Sequence, residues 1–182
     1  MNARLGKLQK FIAEQELDAI IITSPANIFY LTGIDNFDSE KGFLLIVYKD
    51  KWRLVSSIFY KSRIENAIAA KNQLWLKRGD SIAAFAAKQL ANCRAIGFER
   101  EDLSFARYEI FKKSLRGKKL IPISGAAEQF RQIKDESEIK LIKKAARITD
   151  KNFAALLKLI KPGITELFLK RKILEMMQDM GA

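Results

Sequence analysis

The sequence predicts an α/β domain with a partly parallel sheet, followed by the opening of a second, helical region. Three observations carry this. Short apolar runs alternate with helical patterns over residues 1–123. Within that alternation, residues 42–48 and 52–56 form two β-rich runs around Lys49-Asp50-Lys51, which reads as a hairpin. Beyond Ser124-Gly125 the strand signals stop, and apolar residues recur at three- and four-residue steps.

In chain order, Leu5, Leu8, Phe11 and Ile12 sit at helical spacing between charged residues, which predicts a helix over 3–15. Residues 18–23 (DAIIIT) are a continuous Ile-rich run, the pattern of a strand buried on both faces. Ser24-Pro25 breaks it, residues 26–31 form a short helix ending at Gly33, and the polar stretch 34–41 is a loop. After the hairpin, the spacing of Ile58, Ile64 and Ile68 predicts a helix over 57–70. Strands are expected at 73–77, 94–99 and 119–123. They alternate with an Ala-rich helix at 81–91 and a helix at 104–115 whose Ser104 caps its free N–H groups.

In the second region, Asp135 with Glu138 three residues later is a capping-box start. Ile139, Ile142, Ala146, Thr149, Phe153, Leu156 and Ile160 continue the apolar face until Pro162-Gly163 ends the helix. Thr165 caps the next helix, which runs to Gly181 and presents Phe168, Leu169, Ile173, Leu174, Met176, Met177 and Met180 without an obvious cover. That face is expected either to fray or to be buried in a dimer. The second region therefore reads as a domain that begins and does not finish. Domain bounds of 1–124 and 125–182 follow.

Composition removes whole classes of chemistry. The 182 residues contain no histidine, so neither an imidazole-ligated zinc site nor a Ser-His-Asp or Cys-His nucleophile can be built from them. With 48% hydrophobic and 30% charged residues, the chain has enough apolar surface to fold. No run reaches the length of a membrane span, and the basic N-terminal residues lead into no apolar signal segment. Cys93 is the single cysteine, which suits a reducing cytoplasm. The net charge of +12 lies entirely beyond residue 60 and is densest at Lys112, Lys113, Arg116, Lys118 and Lys119. Such a balance permits nucleic-acid binding, but no aromatic RNA-binding motif, zinc finger or Gly-rich clamp accompanies it. A solvated surface, or a counterpart to acidic protein, is the preferred reading.

No residue stands out as catalytic. Phosphate-cradling glycine motifs are missing. Glu99 with Asp102 flanks a strand-to-helix turn and Asp135 with Glu138 caps a helix, so both pairs read as structural. Cys93 is expected to be a packed thiol. Phe11, Phe29, Tyr30, Phe43, Trp52 and Phe59 suit a core, and Met176, Met177 and Met180 a helix face.

Three segments together resemble the aminopeptidase P, Xaa-Pro dipeptidase (prolidase) and creatinase family. They are residues 18–33 (DAIIITSPANIFYLTG), 131–150 (RQIKDESEIKLIKKAARITD) and 160–166 (IKPGITE). The resemblance implies a three-layer α/β/α N-terminal domain with a mixed sheet, then the first helices of a pita-bread catalytic domain. In that family two divalent metal ions (Mn, Co or Zn) are held by two Asp, two Glu and one His, and a metal-bridging hydroxide attacks the bond before proline. Those ligand motifs lie beyond the matching segments, so this chain is expected to bind no metal and to be inactive alone.

The resemblance further implies a cytoplasmic homodimer in which this domain shapes access for short Xaa-Pro peptides. By position, the loop holding Phe37 and Asp38 is the segment expected to face the active site. Asn27 and Tyr30 are expected to be structural, the first bonding local backbone and the second packing under the sheet. Two other readings compete: a non-catalytic interaction protein that keeps this domain, and a basic nucleic-acid binder.

Overall fold

The computed structural model describes residues 3–34 and 43–181. In the first strand, β1 (Ala19–Ile22), alternate side chains enter two different cores, because successive residues of a strand point to opposite faces. Ile20 and Ile22 join one cluster, while Ala19 and Ile21 join the other. All four are buried, so the run carries no polar face.

Helix α1 (Ala3–Glu14) precedes β1 and buries Leu5, Leu8 and Ile12. Helix α2 (Pro25–Thr32) follows, with Gly33 as its left-handed cap at φ 76° and the Gly33 N–H donating to Phe29 O at 2.7 Å. Strands β2 (Leu44–Tyr48) and β3 (Trp52–Ser57) form the expected hairpin, pairing Leu45 with Leu54 and Val47 with Trp52. Strands β4 (Gln73–Leu76), β5 (Ala95–Glu99) and β6 (Lys119–Ile123) complete the sheet. Its order is β4-β3-β2-β1-β5-β6, with β1–β2 and β2–β3 antiparallel and β3–β4, β1–β5 and β5–β6 parallel.

The helical layers sit on opposite faces of this mixed sheet. One core joins Leu8 and Ile12 of α1 and Ile28 and Leu31 of α2 to Ile20, Leu45 and Val47. The other joins Ala83 and Ala86 of α4 (Ile82–Gln89) and Phe111 of α5 (Phe105–Ser114) to Ile21, Ile46 and Ile96. The architecture is the three-layer α/β/α arrangement with a mixed sheet. Burying one such Ile or Leu side chain is worth about 1.5–3 kcal/mol.

Residues 57–70 differ from the continuous helix expected there. A 3-10 turn (Ile58–Tyr60) leads into the single-turn helix α3 (Lys61–Ile64), of which only Ile64 is buried. The Gln73 side chain donates to the carbonyls of Glu65 and Ile68 at 3.1 and 2.6 Å, satisfying groups that a longer helix would have paired internally. Two aromatic residues expected in the core also lie outside it: Phe29 is 50% and Phe59 76% exposed. Phe29 is on the outer face of α2, and Phe59 sits in the 3-10 turn that replaces the helix.

The chain divides into two compact units, Met1–Gln132 and Ile133–Ala182. The first runs past Ser124-Gly125 because Ala126 and Ala127 are fully buried in its core. Phe130 of α6 (Glu128–Gln132) packs against the same core. In the second unit, α7 (Glu136–Leu157) opens on the expected capping box. Asp135 Oδ1 accepts from Glu138 N, and Glu138 Oε2 accepts from Asp135 N, both at 2.9 Å. Helix α8 (Glu166–Asp179) is capped by Thr165, whose Oγ1 accepts from Phe168 N at 3.2 Å.

Candidate functional site

A buried polar cluster in the first unit forms where β1 and β5 end side by side. Strand β1 delivers Thr23 and Ser24 to the start of α2, and β5 delivers Glu99. Glu99 is only 3% exposed, and both of its carboxylate oxygens accept hydrogen bonds. Oε2 accepts from the backbone N–H of Thr23 at 2.6 Å and of Ser24 at 2.8 Å, and Oε1 accepts from Asn27 Nδ2 at 2.6 Å. The Ser24 side chain makes no cap, and Pro25 at the first helical position has no N–H. The carboxylate thus stands at the N-terminal end of α2, where negative charge is favoured.

Asn27 is fully buried and uses all of its amide. Nδ2 also donates to Glu128 Oε1 at 2.6 Å, and Oδ1 accepts from Arg131 Nη1 at 3.0 Å. Tyr30, one turn further along α2, donates from its hydroxyl to Phe130 O at 3.1 Å, while the Arg4 guanidinium lies 4.4 Å from its ring centre. Thr23 Oγ1 completes the cluster by hydrogen bonding to Asp102 Oδ2 at 2.7 Å. Helices α1, α2 and α6 and the turn after β5 are tied together through these few side chains.

Electrostatics fit a positioning role. Burial pushes the Glu99 carboxyl above the ordinary carboxylate value; the donors from Ser24, Asn27 and Thr23 oppose that rise, and the charge on Asp102 adds to it. With both oxygens engaged and almost no exposure, Glu99 cannot reach a substrate. Its chemistry is to hold α2, and so the point at Gly33 and Ile34 from which the chain leaves toward Phe37 and Asp38. Those two residues lie outside the described residues.

Glu99 and Asp102, read from the sequence as a structural pair, meet at Thr23. Asn27 corrects the expectation that it bonds local backbone, since its partners are the side chains of Glu99, Glu128 and Arg131. The roles of Glu128 and Arg131 were not foreseen. The signal that could have pointed to the cluster is a carboxylate ending a buried strand beside a Thr-Ser-Pro helix start. Cys93 is the packed thiol expected: it is 6% exposed, and burial pushes its thiol pKa up. Among the described residues no three His, Cys, Asp or Glu side chains converge to hold a metal ion. These residues therefore do not fit the dimetal centre the resemblance implies, and no step of metal chemistry is assigned to them.

Fold and cluster together define an α/β/α domain whose buried polar groups hold the start of α2 against the ends of β1 and β5 and against α6. The chain belongs to the creatinase/prolidase N-terminal domain family, whose model matches residues 4–133. Over 181 residues it is 26% identical to the peptidase YqhT of Bacillus subtilis (strain 168), covering 98% of this chain and 50% of that protein. It is 28% identical over 182 residues to the Xaa-Pro dipeptidase of Pyrococcus furiosus, covering all of this chain and 50% of the relative. The solved Xaa-Pro dipeptidase from Bacillus anthracis superposes with a TM-score of 0.82 over 99% of this chain and 49% of that one, at 24% identity, which bears on the fold alone. The chain spans about half the length of the curated relatives it matches.

Proposed function

We propose that this chain serves as the N-terminal half of a proline-directed metallopeptidase, an Xaa-Pro dipeptidase or Xaa-Pro aminopeptidase. In this reading it shapes substrate access and takes part in dimerisation. The family match over residues 4–133, together with end-to-end similarity to half of an Xaa-Pro dipeptidase, carries the reading. The metal-binding groups, for two divalent ions such as Mn, Co or Zn, belong to the half of the relatives that this chain does not match. The pita-bread helices are then α7 and α8, the location is cytoplasmic, and the loop with Phe37 and Asp38 faces short Xaa-Pro peptides.

Dimerisation draws support from the apolar groups that the second unit leaves at its surface, Leu141, Phe153 and Leu167 among them. The test is hydrolysis of an Xaa-Pro dipeptide with added Mn(II). The purified 182-residue chain is expected to show none, whereas the gene product that also carries the second half is expected to turn the dipeptide over. Metal-dependent turnover by the 182-residue chain overturns this division of labour, and an inert longer product overturns the peptidase reading.

A further inference from the structure

The fold gathers basic residues that the sequence scatters. Strands β1, β5 and β6 are parallel neighbours, so they start at the same end of the sheet. Strand β2 runs antiparallel to β1 and pairs Tyr48 with Ala19, which brings the β2–β3 turn to that end. Helices α4 and α5 lead into β5 and β6, so both finish there as well. Lys51 of the turn, Lys88 in the last turn of α4 and Arg94 before β5 therefore share one end of the domain with Lys113, Arg116 and Lys118 around the close of α5. The Glu99 cluster lies at the opposite end, where β1 and β5 stop.

Specific contacts tie this end together. Lys51 Nζ lies 5.1 Å from the Tyr48 ring centre, the Tyr48 hydroxyl donates to Gln89 O, and the Lys118 ammonium donates to Ala91 O. Burial and the Asp18 charge raise the Cys93 thiol pKa, and Lys118 and Lys51 both oppose that rise. Lys51, Lys88, Arg94, Lys113 and Arg116 are exposed and form no ion pair with a described carboxylate. Of the opposing charges, Asp18 spends Oδ2 on the backbone N–H groups of Arg94 and Ala95, and Glu109 lies 3.9 Å from Lys112. Asp50 stands next to Lys51 in the turn. Cations at helix C-termini are favourable in themselves, but here they extend over the neighbouring turns too.

The make-up of the face selects its partner. The large apolar residues exposed on the first unit, Phe29, Ile58, Phe59, Phe105 and Ile110, lie on α2, in the 3-10 turn after β3 and on α5 before its last turn. None of these is in the turns that carry the cations. Protein interfaces centre on apolar and aromatic groups with charge depleted, and a stable membrane contact needs an apolar insertion besides basic residues. A charged face with neither fits a nucleic-acid backbone, which Lys and Arg contact through its phosphates. From β2 to β6 is three strand spacings, about 14 Å. Duplex DNA presents one charge per ~1.7 Å of its axis, so several phosphates fall within that span.

We propose that this end of the domain binds the phosphate backbone of double-stranded nucleic acid without reading its sequence. The test is fluorescence anisotropy of a labelled DNA duplex of about 20 base pairs, titrated with the full chain at varied salt. Micromolar binding at low salt is expected, whatever the base sequence. The logarithm of the affinity should fall against that of salt with a slope of about −4, as four or five phosphate contacts give. Lys113→Ala with Arg116→Ala should weaken binding about tenfold and make the slope shallower by about 1.8. Lys140→Ala with Lys143→Ala on α7 removes the same charge from the second unit and should leave binding within about twofold. Thermal unfolding confirms that both variants fold. Absence of binding at low salt, or equal losses from the two pairs, overturns the proposal. Displacement of the duplex by polyglutamate at equal charge also overturns it, because the face would then be a receptor for acidic protein.

Discussion

Asn27 Nδ2 lies 2.6 Å from Glu99 Oε1, a hydrogen bond between two buried side chains 72 residues apart. The same amide nitrogen reaches Glu128, and the amide oxygen accepts from Arg131, so one asparagine joins a strand end to the last helix of the first unit.

Glu99→Gln tests that arrangement. The two backbone donors need an oxygen, which turns the new amide nitrogen toward the donating face of Asn27. Flipping Asn27 relieves that clash but sets its nitrogen against Arg131. No orientation satisfies every donor. The expected loss is about 1.5–3 kcal/mol, the scale of a hydrogen bond to a charged group. Urea unfolding measures it, and a change within 0.5 kcal/mol counts against the network.

Asp18 gives a pH dependence of definite sign. Its Oδ2 accepts from the backbone N–H of Ala95 at 3.0 Å and of Arg94 at 2.7 Å, and those bonds hold its carboxyl below the usual value of 3.8. A depressed folded value means that the unfolded chain binds the proton first as pH falls. The stabilisation is therefore present at neutral pH and lost as pH drops through the folded value. The stability gap between the parent chain and Asp18→Asn is expected to be widest near neutrality and to close in acid. A gap that widens in acid would contradict the assignment.

Gly97 of β5 pairs with Ile20 of β1 and lies beside Leu17, in the segment between α1 and β1. A Cβ there would lie 2.9 Å from Leu17 Cδ1 and 3.1 Å from Ile123 Cγ1. Gly97→Val is therefore expected to cost about 1–3 kcal/mol by overpacking. A lowered melting temperature with unchanged far-ultraviolet circular dichroism at low temperature is the signature. A valine variant as stable as the parent would show the approach to be looser than described.

Much of this architecture was legible in the sequence. The Ile-rich run at β1, the hairpin around Lys49-Asp50-Lys51 and the Asp135/Glu138 capping box are local patterns, and each forms as read. The polar cluster was not legible, because Asn27 meets Glu128 and Arg131 across 101 and 104 residues, and no local periodicity encodes such pairs. The failed helix at 57–70 has a more local origin. Its apolar spacing suits a helix, yet the Gln73 side chain, eight residues beyond Glu65 and five beyond Ile68, takes the carbonyls that would have extended it.

In the second unit, Leu141 is 68% and Ile142 54% exposed, although both lie on an otherwise amphipathic helix. Leu141→Gln together with Ile142→Gln is expected to change unfolding stability by no more than about 0.5 kcal/mol, as at other exposed positions. Binding of a hydrophobic dye should fall. A large loss of stability would mean that this face is already covered within the chain.

The central claim is that these residues form one half of a proline-directed metallopeptidase. Reading the source gene beyond codon 182 tests it most directly. The account predicts that the reading frame continues into a segment carrying two Asp, one His and two Glu as a dimetal ligand set. A stop codon immediately after Ala182 would contradict it and leave the domain as an interaction module.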